Sequence, residues 1–360
     1  MSETIVIEPR PFAAREISEI QDEIRSIKKR LGTRLVILGH HYQRKEIVDV
    51  ADFRGDSFDL SRRASEEKAA EFIVFCGVRF MVESAAILAR DDQKVFHPNS
   101  RAGCPMADMS DLDEVERAWA ELGTVVDTSR IVPVTYMNSW AELKAFCGEN
   151  GGAACTSSNA TRIFDWAFSR GDRILFFPDE HLGRNTARTM GVAKEAMPVF
   201  DPRKKLGGLT RAEIERSRVL LWKGFCHVHT WFTTAHIAAA RAQYPGCRVV
   251  VHPECTEEVV LAADAVGSTN FIAKTAHEAA PGTVLFVGTE INMVHRLGLE
   301  YPEKIILPLS RSMCPNMYRI DPENLLETLR TLETSAEPVR VPERVKKGAR
   351  LALERMLAVK

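Results

Sequence analysis

The sequence predicts an α/β protein of three similar βαβαβ units, each an αβα sandwich, in a pseudo-threefold arrangement around one central site. Three observations predict it. Apolar runs of strand length alternate with stretches of helical periodicity along the chain. The same order of elements occurs three times. Each round closes on an apolar run and a loop with a cation three places before a cysteine: Arg101 and Cys104, Lys223 and Cys226, Arg311 and Cys314. Alternating strand and helix favours parallel sheets with right-handed crossovers, and ligands of such sheets bind beyond the carboxyl ends of the strands. Three units with those ends turned inward would surround one cavity.

The first unit, 16–122, opens on an amphipathic helix over 12–31, where Ile17, Ile20, Ile24, Ile27 and Leu31 recur at helical spacing. A buried strand at 35–39 ends on His40, His41 and Tyr42. A helix over 45–53, the turn Gly55-Asp56-Ser57, a strand at 72–76 and a helix over 82–89 follow, and 94–97 leads to Cys104. The second unit, 123–240, has strands at 131–135 and 174–177, a helix over 141–146, the turn Cys155-Thr156-Ser157 and a strand at 219–222 before Cys226. Its stretch 190–218 carries no clear periodicity. The third unit, 241–335, repeats the plan with strands at 248–251, 284–287 and 305–307, a helix over 257–264 and the turn Gly267-Ser268-Thr269 before Cys314. Within a tail from 321, where 336–360 forms a terminal helical segment, two helices join around Pro338 and Pro342. First-strand end to hydroxyl turn is 17 residues (His40 to Ser57), 21 (Tyr136 to Ser157) and 17 (His252 to Thr269). First-strand end to cysteine is 64, 90 and 62.

Composition excludes several classes. A formal net charge of −1 over 360 residues points to neither nucleic acid nor an anionic membrane. No apolar run approaches the ~20 residues of a membrane helix, and residues 1–11 lack a secretory apolar segment. The expected location is the cytoplasm. The eight cysteines form no Cys-x-x-Cys pair, so a metal site has to be assembled by the fold, one ligand per loop.

Singly, each cysteine reads as a buried small hydrophobe; the shared loop context sets Cys104, Cys226 and Cys314 apart. Three thiolates suit a soft metal or an iron–sulfur cluster, with Arg101, Lys223 and Arg311 offsetting their charge. His227 and His229 beside Cys226 keep a Cys/His metal site open. Ser57, Ser157 and Thr269 read either as helix N-caps or as anion sites formed with helix N-terminal amides. His40, Tyr42, Tyr136, Asn138, His252 and Glu254 stand at strand ends as proton donors and acceptors, with His252 and Glu254 as an acid–base pair.

These segments, taken together and in this order, resemble the quinolinate synthase family, the A protein of de novo NAD biosynthesis, over about 33–320. The motifs are Gly39-His40-His41-Tyr42-Gln43, Gly55-Asp56-Ser57, Ala102-Gly103-Cys104-Pro105-Met106, Tyr136-Met137-Asn138-Ser139, Cys155-Thr156-Ser157, Gly224-Phe225-Cys226, His252-Pro253-Glu254-Cys255, Gly267-Ser268-Thr269 and Cys314-Pro315-Asn316-Met317. The resemblance implies a [4Fe–4S] cluster on Cys104, Cys226 and Cys314, with one open iron acting as a Lewis acid. It implies condensation of iminoaspartate with dihydroxyacetone phosphate to quinolinate, phosphate and water, coupled to an L-aspartate oxidase or dehydrogenase that supplies the imine. Catalytic positions carry over to His40, Tyr42, Tyr136, His252 and Glu254, with Glu254 as general base. Substrate-binding positions carry over to His40, Ser57, Tyr136, Asn138, Ser157, His229, His252, Glu254 and Thr269. The chain departs from the pattern around 148–152, at 190–218 and after Cys226. An iron–sulfur hydro-lyase of another small carboxylate and a non-catalytic metal or redox sensor are the competing readings.

Overall fold

Three separate sheets carry the chain, and every strand pairing in them is parallel. The computed structural model describes residues 14–359; the expected helix start at 12–13, the reading of 1–11 and Lys360 lie outside the described residues. The first sheet holds β1 (Leu35–His40), β2 (Phe53–Gly55), β3 (Phe72–Cys76) and β4 (Lys94–Phe96), in the order β2-β1-β3-β4. The second holds β5 (Ile131–Tyr136), β6 (Ala153–Cys155), β7 (Arg173–Phe177), β8 (Val199–Phe200) and β9 (Val219–Trp222), in the order β6-β5-β7-β9-β8. The third holds β10 (Arg248–Val251), β11 (Ala265–Val266), β12 (Val284–Gly288) and β13 (Ile305–Pro308), in the order β11-β10-β12-β13. The central strands β1, β3, β5 and β9 are buried along their whole length. Burial on both faces is why they read as continuous apolar runs without alternation.

Two readings of the sequence are corrected. Each unit carries a further short strand, β2, β6 or β11, directly before its hydroxyl turn. Strands of two or three residues are too short to display a period of two. The helix expected over 45–53 is only Lys45–Val48; Asp52 accepts the amide of Ile37 (2.8 Å), and Phe53 already belongs to β2. The aperiodic stretch 190–218 is also structured, supplying the edge strand β8 and the helix Arg211–Arg216 under a Thr210 capping box.

The tail helices dock on two different sheets. Helix Pro322–Thr331 packs on helix Ala14–Leu31, where Leu325 and Leu329 join Ile24, Ile37 and Val74 in one core. Helix Glu343–Ala358 packs on helix Ala141–Glu149 and β6. A Cβ on Gly148 would stand 1.9 Å from the carbonyl oxygen of Gly348, so this crossing is possible only because Gly148 has none. Arg355 then donates to the carbonyls of Gly148 (3.0 Å) and Gly152 (2.5 Å). The extra residues at 148–152 are thus the seat of the C-terminal helix. No helix of the described residues is long and apolar enough to cross a membrane.

Candidate active site

The first strand of each unit lies inside its sheet, paired on both edges, so its end is held firmly. His40 ends β1, Tyr136 ends β5, and His252 follows β10. These ends, the hydroxyl turns and the cysteine loops line one cavity. His40, Tyr42, Ser57, Tyr136, Asn138, Ser157, His229, His252, Glu254 and Thr269 all contribute to it, as do Cys104, Cys226 and Cys314. His227 does not line it. Val78, Phe80 and Met81 supply an apolar part of the wall, and among the described residues no lysine or arginine lines it.

Glu254 is the hub of one part of the lining. It is 2% exposed. Its Oε1 accepts from the Tyr136 hydroxyl (2.5 Å) and its Oε2 from His229 Nδ1 (2.9 Å). Burial alone would raise this carboxyl; His229 and His252 beside it, with the hydrogen bonds from His229 and Tyr136, bring it down to about 2. It is therefore ionised. His229 Nε2 lies 3.1 Å from Thr289 Oγ1 and 3.2 Å from the Tyr42 hydroxyl, which also meets Thr289 at 2.7 Å. The rings of His229 and His252 stack at 4.3 Å.

The two strand-end histidines share one device. His40 Nδ1 accepts the amide of Tyr42 (3.2 Å), and His252 Nδ1 accepts the amide of Glu254 (3.3 Å). Burial depresses both rings, with His41 next to His40 and His229 next to His252 adding to it; His40 falls well below its ordinary value and His252 to about 3. Both are neutral imidazoles whose remaining proton sits on Nε2. That of His252 is donated to Ser157 Oγ (3.2 Å). Burial, then the Glu254 charge, hold Tyr42 and Tyr136 as phenols, far above the usual tyrosine range.

The hydroxyl turns are not N-caps. Asp56 caps helix Ser57–Glu66 by accepting Asp59 N (2.9 Å), and Ser268 caps helix Thr269–Glu278 by accepting Phe271 N (3.3 Å). Ser57 and Thr269 are the first helical residues, and among the described residues their hydroxyls have no partner. Ser157 precedes helix Ala160–Phe168, which Asn159 begins. The turns are knitted together across the units: Ser158 donates to Asp56, and Asn270 donates to Asp59 (2.6 Å). His41, held by Arg296 (3.2 Å), bonds Asn270 (2.7 Å).

The cysteine loops fit a soft metal group. Amides of Met106 and Ala107 face the sulfur of Cys104, and those of Asn316 and Met317 face that of Cys314. Burial nevertheless pushes the Cys104 thiol up to about 12 and that of Cys314 to about 11. Cys226 is raised by burial, then by Glu254 and by the other two sulfurs. Three thiols that oppose one another's ionisation in a buried pocket need a cation to become thiolates. The cations expected to offset them do not: Arg101, Lys223 and Arg311 are exposed, and Lys223 pairs with Asp201 (2.9 Å). A side chain that long reaches solvent and keeps its hydration. Cys76, Cys147, Cys155, Cys247 and Cys255 lie buried elsewhere and do not line the cavity.

Sequence reasoning missed Asp56, Thr156 and Thr289. Asp56 and Thr156 stand beside the hydroxyls that it singled out, and Thr289 follows the end of β12 as His252 follows that of β10, so strand-end position was the available signal. It also missed Asp179, a fully buried acid raised well above the carboxylate range by burial and then by Glu254; its Oδ1 caps helix Glu180–Thr189 and its Oδ2 has no partner.

Three parallel α/β layers, with strand ends, neutral histidines, a buried carboxylate and three thiols meeting in one cavity, define an enzyme of small-molecule chemistry. The chain matches the Quinolinate synthetase A protein family over residues 22–358 and belongs to it. It is 50% identical to the quinolinate synthase of Corynebacterium glutamicum, covering 98% of this chain and 90% of that protein. It is 47% identical to that of Rhodopirellula baltica (98% and 93%) and 48% identical to that of Halalkalibacterium halodurans (94% and 93%). Its activity is that of a quinolinate synthase.

Proposed function

We propose that the cavity condenses iminoaspartate with dihydroxyacetone phosphate, releasing phosphate and water to leave quinolinate. The observation that carries this is the meeting of three thiols, an ionised Glu254 and unpartnered helix-start hydroxyls in one cavity. On this reading three domains, 16–122, 123–240 and 241–335, surround the site with pseudo-threefold symmetry, and 336–360 is a terminal helical segment. The chain works in the cytoplasm. An imine hydrolyses in water, so an L-aspartate oxidase or dehydrogenase has to supply it close by.

The substrates bring two carboxylates and a phosphate to a cavity that, among the described residues, no lysine or arginine lines. Anion binding therefore falls to Ser57, Ser157 and Thr269 with the N-terminal amides of the helices that they open or precede. Asn138 orients a substrate carboxylate or imine. His40 and His252 present a neutral Nε2–H, which polarises a carbonyl as it passes to its enol without adding a full charge. Tyr42 delivers a phenolic proton to a leaving oxygen, and Tyr136 does so in the reverse of its relay, regaining a proton from the protonated Glu254 as it gives up its own. Glu254, already accepting two hydrogen bonds, acts as a base through them: Tyr136 takes a substrate proton as it hands its own to Glu254 Oε1. His229 orients the carboxylate and links it to Tyr42 and Thr289. Cys104, Cys226 and Cys314 would hold a [4Fe–4S] cluster, which when bound supplies one iron without a protein ligand as a Lewis acid toward a substrate oxygen.

The test uses protein purified and reconstituted without oxygen. The expected result is about four iron and four sulfide per chain, with quinolinate formed from the two substrates. Cys104→Ala, Cys226→Ala and Cys314→Ala each lose most iron and activity, whereas Cys247→Ala keeps both. No uptake of iron and sulfide from zinc-free solution, or full activity in any of the three variants, overturns the assignment.

A further inference from the structure

One ligand set in the cavity is not the three-cysteine set. Cys226 Sγ, a His229 ring nitrogen and a Glu254 carboxylate oxygen lie within 4.8 Å of one another. Cys226 precedes and His229 belongs to the helical turn His227–Thr230, three residues apart, which places them on one face. Glu254 reaches them from the unit that follows in the chain, and both His229 and Glu254 are buried. His229 Nδ1 and Glu254 Oε2 are 2.9 Å apart with one proton between them. Around a tetrahedral zinc with bonds of about 2.0–2.1 Å, nitrogen and oxygen ligands stand about 3.3 Å apart. For this pair, replacing the proton by a metal thus asks for a shift of a few tenths of an ångström, and the Cys226 Sγ, within 4.8 Å of both, closes to the roughly 3.5 Å that sulfur keeps from a nitrogen or oxygen ligand on zinc. The outer partners are in place: Thr289 and Tyr42 at His229 Nε2, and Tyr136 at Glu254 Oε1. Such groups fix the orientation of metal-bound imidazole and carboxylate.

We infer that the cluster-free chain binds one zinc ion on Cys226 Sγ, His229 Nδ1 and Glu254, with its fourth position open to the cavity, and that this ion excludes the three-cysteine cluster because both need Cys226. Binding breaks the S–H bond of Cys226 and releases that proton. The His229 ring proton moves from Nδ1 to Nε2, where Thr289 or Tyr42 accepts it. No oxidant or reductant is involved. The site also occupies Glu254, so a zinc-loaded chain has neither its cluster nor its free carboxylate. Zinc and cluster become alternative fates of the newly made chain.

The experiment titrates cobalt(II), a spectroscopic stand-in for zinc, into the full-length cluster-free chain without oxygen. The expected result is one cobalt per chain with four-coordinate visible absorption and a single thiolate charge-transfer band. Both disappear in Cys226→Ser and His229→Ala and persist in Cys104→Ser and Cys314→Ser. Thr289→Val weakens binding by about tenfold. Absorption of three-thiolate intensity, or its loss in Cys104→Ser, places the metal on the cysteines and overturns the inference. So does the absence of cobalt binding by a chain whose circular dichroism and melting match the holoprotein's folded baseline. In a second arm, one equivalent of zinc is added before iron and sulfide, and cluster absorption is followed. Zinc slows assembly in the unaltered chain but not in His229→Ala, which keeps all three cysteines; equal slowing in both overturns the inference. Neither arm measures catalysis, so the zinc site and the quinolinate reading can fail separately.

Discussion

Around Glu254, the donors and acceptors of the cavity wall are joined to one another: Tyr136 and His229 on the carboxylate, Thr289 and Tyr42 on His229, Ser157 on His252. At the helix starts, the Ser57 and Thr269 hydroxyls face the same cavity with none, because Asp56 and Ser268 do the capping. Groups that move protons need their geometry fixed beforehand, since misplacement costs rate. Groups that bind an anion need free donors, since a partnered donor has to break one bond to make another. On the proposed reading the wired region serves turnover and the unpartnered hydroxyls of Ser57 and Thr269 serve binding, with Ser157, bonded to His252, where the two meet.

That division can be broken most sharply at Glu254. Glu254→Gln keeps the volume and removes the charge, and kcat should fall by roughly 10²- to 10⁴-fold with KM changed little. A KM increase with kcat intact would move Glu254 to the binding region. Next come Ser57→Ala and Thr269→Val, each removing a hydrogen bond to a charged group of about 1.5–3 kcal/mol. They should raise KM for the phosphate or carboxylate substrate by about ten- to a hundredfold with kcat near normal; measured melting should not change, because neither hydroxyl caps a helix. Asp56→Ala provides the contrast. It removes a cap of about 1 kcal/mol together with the Ser158 bond between units, so its denaturant midpoint should drop where that of Ser57→Ala does not.

The mildest test lies outside the cavity. His97, bonded to the Gly77 carbonyl (2.8 Å), is depressed by burial to about 4, as His41 is. The unfolded chain binds a proton there near pH 6.5 and the folded chain does not, so stability falls as pH drops below about 6.5 toward 4. The slope is at most ~1.4 kcal/mol per pH unit for each such histidine. His97→Gln should remove about one proton from the uptake on unfolding near pH 5 while leaving the activity profile in place. A change in that profile instead would tie His97 to the site.

The repeat, the central strands β1, β3, β5, β7, β9, β10 and β12, and the residues at their ends were readable in the sequence. A buried parallel strand is a continuous apolar run, and the polar triplet that ends it is local. The three cysteine loops were readable because their context repeats. The edge strands β2, β6, β8 and β11 were not, since two or three residues acquire strand geometry only by pairing with a neighbour. Whether Ser57 and Thr269 cap their helices also lay beyond the sequence, because Asp56 and Ser268 compete for the same amides and the backbone decides by one residue. Arg101, Lys223 and Arg311 lie at the same offset from each cysteine, yet they point to solvent. The sequence by itself determined which residues stand at the strand ends. Only the tertiary structure decided which protons they hold: the state of His40, His252 and Glu254 is set by burial and by partners brought from other units, and no local pattern encodes those distances.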